Sequence, residues 1–127
     1  MSKYSEIAVK AVELLISNDE YRPREAWDIA ATEIFVLNSW GSQKGCPRSA
    51  FLGLCEEGLV KGVASGRYTT SIKNKTYAVK ALEILKENPS LVEDRNKLWQ
   101  FVMAGEYKSH NSQMDVVIAL VKNNLIF

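Results

Sequence analysis

The chain has 127 residues, 46% hydrophobic and 24% charged, a balance that excludes a disordered or low-complexity segment. Its net charge of +1 excludes a basic tail that holds nucleic acid by charge alone, and two cysteines are too few for a secreted disulfide framework. No uncharged stretch approaches the roughly 20 apolar residues of a membrane span, and Met1 to Glu6 lacks the layout of a signal peptide, so a cytoplasmic chain with free thiols and no membrane contact is expected.

The first helix is predicted over 3–17, where Ala8-Val-Lys-Ala-Val-Glu-Leu-Leu15 places its apolar residues on one face and Asn18 closes the stretch. The second runs over 23–38. Pro23 suits its first position, because a proline lacks the N–H that would have no partner there. Its apolar stripe is Trp27, Ala30, Ala31, Ile34 and Phe35. The third is predicted over 47–57, with Phe51, Leu54 and Cys55 inward, leaving Gly53, Glu56 and Glu57 outward. Gly58 then accepts a positive φ, and Leu59 packs back on Leu54 in a Schellman close.

Residues 61–71 form a connector, predicted as a short β-hairpin or an ordered loop near 60–70, with Ala64-Ser65-Gly66 between two short runs. Helices follow at 72–87, 91–104 and 113–123. In the fifth, Ser90 and Glu93 have the spacing of a capping box, Trp99 lies on the stripe, and Gly105 suits the end. Landmarks of the first half recur here in order. Ala78-Val-Lys-Ala-Leu-Glu-Ile-Leu85 repeats the first helix, Ser112-Gln113 repeats Ser42-Gln43, and Leu120, Asn124 and Leu125 repeat Leu54, Gly58 and Leu59. The expected fold is therefore all-α: a tandem repeat of two three-helix units (1–60 and 72–127) packed as one domain. Each half alone is too small for a secure core.

Charge is placed unevenly. Residues 1–43 carry −3, residues 44–80 carry +5 and residues 81–127 carry −1. The basic excess sits on the third helix, the connector and the start of the fourth helix. Candidate residues for binding nucleic acid or a partner are Gln43, Lys44, Arg48 and Ser49 near the third helix, Lys61, Arg67 and Tyr68 on the connector, and Trp40 in the preceding loop. Three helices followed by a hairpin resemble a winged helix-turn-helix, whose third helix enters the major groove while the wing touches the backbone. Against that, Glu56 and Glu57 would face a polyanion.

Other chemistries have less support. Cys46 stands before Pro47 at a helix start, where a thiolate gains from the backbone N–H groups. The single histidine, His110, occupies a separate corner and reads as a surface residue. Cys55 falls on the apolar stripe, no CxxC or HxxxH spacing exists for a metal, and no Gly-rich phosphate loop is present. No cofactor is expected.

Arg24-Glu-Ala-Trp-Asp-Ile-Ala-Ala31, Gly45-Cys-Pro-Arg-Ser-Ala-Phe-Leu-Gly-Leu-Cys-Glu-Glu-Gly-Leu-Val60 and His110-Asn-Ser-Gln-Met-Asp115 resemble a family of small uncharacterised bacterial proteins, over nearly the whole chain. The resemblance implies a bacterial cytosolic setting and carries no functional residue with it. The expected function is a non-enzymatic helical interaction or adaptor module working through a protein partner or self-association. The alternative is a winged-helix-like DNA or RNA binder using the basic 43–75 surface.

Overall fold

The computed structural model describes residues 2–18, 20–35, 44–106, 108–110 and 112–127. Among them are six α-helices: α1 (Lys3–Ser17), α2 (Pro23–Phe35), α3 (Gly45–Glu56), α4 (Ile72–Glu87), α5 (Arg95–Met103) and α6 (Gln113–Lys122). The all-α expectation holds.

Local chemistry starts and stops these helices. Ser2 caps α1 by accepting from the Ser5 N–H at 3.2 Å. At the start of α2 the Glu25 carboxylate takes the Arg22 N–H at 3.0 Å. Helix α3 closes with Gly58 at φ 70° and α6 with Asn124 at φ 57°. In both closes the following leucine donates back, Leu59 to Leu54 at 3.1 Å and Leu125 to Leu120 at 2.9 Å, as a Schellman motif requires.

The expected capping box at Ser90 and Glu93 does not form. Pro89–Glu93 is instead a 3-10 turn, and Asp94 caps α5 by accepting from the Lys97 N–H at 3.0 Å. An aspartate directly before the helix satisfies the orphan donors without the reach that Ser90 would need. The hairpin alternative for the connector also fails. Among the described residues no strand is assigned, and Val60 bridges Ile126 instead, with Lys61 donating to Leu125 at 2.8 Å and Phe127 to Leu59 at 3.1 Å. The C-terminal residues take the pairing that a hairpin would have used, and 61–71 is left as an ordered loop.

One hydrophobic core draws on all six helices, including Ala11, Trp27, Phe51, Leu82, Leu98 and Leu120. Helix α1 lies against α2 and α6, α4 lies against α3 and α5, and α3 meets α6 between them. These inner helices are covered on most sides. In α3, Pro47 and every residue from Ala50 to Cys55 is buried. Gly53, expected to point outward, is a point of close approach to α4: a Cβ there would lie 2.7 Å from the Lys75 Cα.

Candidate functional site

The last turn of α3 fixes the connector in place. Glu56, expected to be a free outward carboxylate, accepts from the Lys75 ammonium at 2.6 Å and from the backbone N–H groups of Tyr68 at 2.8 Å and Thr69 at 3.3 Å. The Lys75 hydrogen bond and then the two amides hold the Glu56 carboxyl down at about 2. Glu57 shares the same ammonium at 2.7 Å. Lys75 thereby bridges the two carboxylates that counted against an anionic partner and offsets one of their two charges, and Glu56 serves to hold Tyr68 and Thr69 against α3.

That arrangement shapes an open cleft of about 590 Å³ between the start of α2, the outer edge of α3 and the connector. Arg24, Arg48 and Arg67 line it together with Ser49, Thr69 and Thr70. Arg48 is the most enclosed of the paired arginines, its side chain 21% exposed against 63% for Arg24. Both face Asp28 at 3.7 Å, beyond hydrogen-bond range, so that carboxylate leaves their donors largely unspent. Arg67 is exposed and makes no ion pair among the described residues.

Of the residues singled out from sequence, Arg48, Ser49, Arg67 and Tyr68 converge on this cleft. Lys44 does not line it and sits over the Tyr4 ring at 5.8 Å. Lys61 is held by its backbone to Leu125 at the bridge. Trp40 and Gln43 lie outside the described residues. Sequence reasoning missed Arg24, Thr69 and Thr70. Arg24 was legible only as part of a helix start, although its spacing to Asp28 is that of an i,i+4 pair.

A second cleft of about 400 Å³ lies between the start of α5, α6 and the beginning of α1, lined by Arg95, Asp115, Ile118 and Lys122 with Ser2 and Ser5. Here the arginine is already paired with a buried carboxylate. One Arg95 nitrogen donates to both Asp115 oxygens, at 2.8 and 2.9 Å. The Asp115 side chain is 8% exposed.

His110 is a half-buried capping residue rather than a surface one. Its ring lies edge-on to Trp99 at 5.4 Å, and its two nitrogens face the Ser112 and Met114 N–H groups, each at 3.2 Å. A neutral imidazole accepts from one of these at a time; a protonated one accepts from neither. Burial first, then the charges of Arg95 and Lys44 against the opposing pull of Asp115, lowers its pKa below the usual 6.5. The sign of the pH effect follows. The unfolded chain takes the proton first, so the stabilisation is complete above 6.5 and is lost as pH falls through the folded value. Thermal melts from neutral pH down to 5.5 should show falling stability, and His110→Asn should flatten that slope while costing ~1 kcal/mol at neutral pH as a weakened cap. A slope unchanged by the substitution would exclude His110. The Glu56 window is separate, its contribution present above 4.5 and lost as pH falls toward about 2.

The remaining sequence candidates for chemistry are not assembled. Cys55 is buried, and burial pushes its thiol pKa up. Cys46 is partly exposed in the first turn of α3. Among the described residues no group of three histidine, cysteine or carboxylate side chains could hold a metal ion, and no helix is long and apolar enough to cross a membrane. No curated protein and no solved structure matches the chain. A family model does match, over residues 1–127, and the chain belongs to that family, the family of unknown function DUF6979.

Proposed function

We propose that this chain is a non-enzymatic interaction module that grips an anionic segment of a protein partner in the cleft between α2, α3 and the connector. The observation that carries the proposal is the convergence of Arg24, Arg48 and Arg67 on one open cleft, with Glu56 neutralised by Lys75. Clusters of arginine are the usual means of recognising acidic or phosphorylated motifs, because the guanidinium fork matches planar and tetrahedral oxyanions. Helix α3 favours this over the winged-helix alternative. A reading helix needs a bare face to enter the major groove, and most of α3 is covered, with α4 against Gly53.

Fluorescence anisotropy with labelled acidic peptides, duplex DNA and single-stranded RNA separates the two. The expected result is peptide binding that Arg48→Ala weakens by at least about tenfold, the worth of one good charge-assisted contact. Saturable DNA or RNA binding that falls steeply with salt and with Arg48→Ala would favour the nucleic-acid reading instead.

We also read the fold as a duplicated three-helix plan. Its support is that both halves close in the same left-handed turn and that the residues joined in the bridge, Val60 and Ile126, hold equivalent places in the two halves. Superposition of residues 3–60 on 72–126 tests it, and failure of α1–α3 to overlay on α4–α6 would end it.

A further inference from the structure

We propose that the group bound in the Arg24, Arg48 and Arg67 cleft is a phosphate monoester; this rests on the function proposed above and gives its ligand a chemical class. The second cleft supplies the comparison. Counted back from the bridge pair Val60 and Ile126, Ser49 and Asp115 stand at the same position, as do Leu52 and Ile118, and Glu56 and Lys122. At that shared position the second cleft carries a carboxylate that Arg95 grips with two short contacts. The first cleft carries Ser49, a small hydroxyl, and the space is open. At this position, then, the fold supplies its own anion in the second cleft and none in the first.

Charge decides what fits. Three arginines line the first cleft, and Asp28 offsets one of their charges at a long 3.7 Å. Glu56 is offset by Lys75 at 2.6 Å, an ammonium it shares with Glu57, which does not line the cleft. An excess of about two positive charges matches the −1.5 to −2 of a phosphate monoester at neutral pH better than the single charge of a carboxylate or a phosphodiester. Donors are available beyond the arginines. Thr69 Oγ1 accepts from the Ser71 N–H at 3.1 Å, which leaves its own proton to donate, and Ser49 and Thr70 add two more hydroxyls.

The test is an NMR titration of the full chain with phenyl phosphate, methyl phenyl phosphate, and a Gly/Ala peptide carrying one phosphoserine or, in its place, glutamate. The expected result is saturable shifts at the Ser49, Thr69 and Thr70 amides with phenyl phosphate, at least about tenfold weaker with the diester, and lost in Arg48→Gln. Ser49→Asp should abolish the shifts while leaving the melting temperature unchanged or raised, because it installs the anion of the second cleft. Retained phosphate binding in Ser49→Asp would overturn the proposal. Equal binding of the glutamate and phosphoserine peptides would overturn it too, yet leave the interaction module standing. A phosphoserine peptide that binds at least about tenfold more tightly than phenyl phosphate supports a phosphorylated chain as the source. Phenyl phosphate binding as tightly as that peptide supports the phosphate and overturns the protein partner. Preference for the diester overturns both.

Discussion

Trp27→Ala is expected to destabilise the chain by ~3–5 kcal/mol, a large part of the 5–15 kcal/mol that holds a typical domain together. Trp27 is 1% exposed, and its ring meets Phe51 at 5.2 Å with the planes inclined by 36°. That contact ties α2 to α3. It also lies one turn after Arg24, so it sets where the α2 wall of the cleft stands. Truncation removes the largest fully buried side chain among the described residues, and the small residues nearby on α2, Ala26, Ala30 and Ala31, cannot close the void. A melting temperature followed by circular dichroism should fall by roughly 10–20 °C. Trp27→Phe should recover most of it. Ile72→Ala, at a residue 77% exposed, should stay within about 0.5 kcal/mol of the parent. A Trp27→Ala melt within a few degrees of the parent would mean that the ring is not the keystone between α2 and α3.

Much of this fold is written locally. The helices over 3–17 and 72–87 begin and end where the apolar stripes and the asparagines at 18 and 88 predict, because a cap and a periodic face are properties of a dozen neighbouring residues. The Schellman closes at Gly58 and Asn124 are legible for the same reason. The error at Ser90 is local as well. Two capping signals overlap there, and the pattern alone does not rank Ser90 with Glu93 against Asp94, which holds the helix start.

The remainder depends on which distant segment arrives. Glu56 reads as a solvated acid until Lys75, far along the chain, closes on it. The two short runs flanking Ala64-Ser65-Gly66 suggest a hairpin until Ile126 takes the pairing. The cleft is half legible for this reason. The charge excess over 44–80 points to Arg48 and Arg67, but Arg24 lies in a stretch of net negative charge and joins them only through packing. The same packing carries Lys44 toward Tyr4 and Lys61 to the bridge. A charge count along the chain identifies a basic region. It does not say which of its members share a face.

Gly53 is the clearest case of information that a sequence hides, because a glycine has no side chain to declare inside or outside. Gly→Ala within a helix ordinarily gains up to ~1 kcal/mol from backbone entropy. Here the sign should reverse. The added Cβ would meet the Lys75 Cβ at 2.6 Å and its Cα at 2.7 Å, and the second of these is backbone that cannot swing aside. Helix α4 must shift, at an overpacking cost of ~1–3 kcal/mol that outweighs the propensity gain. Gly53→Leu should cost at least about 3 kcal/mol, since the extra carbons have no space to enter. The control is Gly45→Ala, where the nearest atom to a new Cβ is the end of the Arg48 side chain at 4.0 Å, and stability should be unchanged or slightly raised. Gly53→Ala should also reach the cleft without touching it. Moving Lys75 weakens its grip on Glu56, and the Tyr68 and Thr69 amides lose the acceptor that holds Arg67 at the cleft wall. Chemical shifts of the Tyr68 and Thr69 amides should therefore move in Gly53→Ala and stay in place in Gly45→Ala. If Gly53→Ala instead stabilises the chain, the close approach of α3 and α4 is wrong, and with it the route by which the core positions the connector.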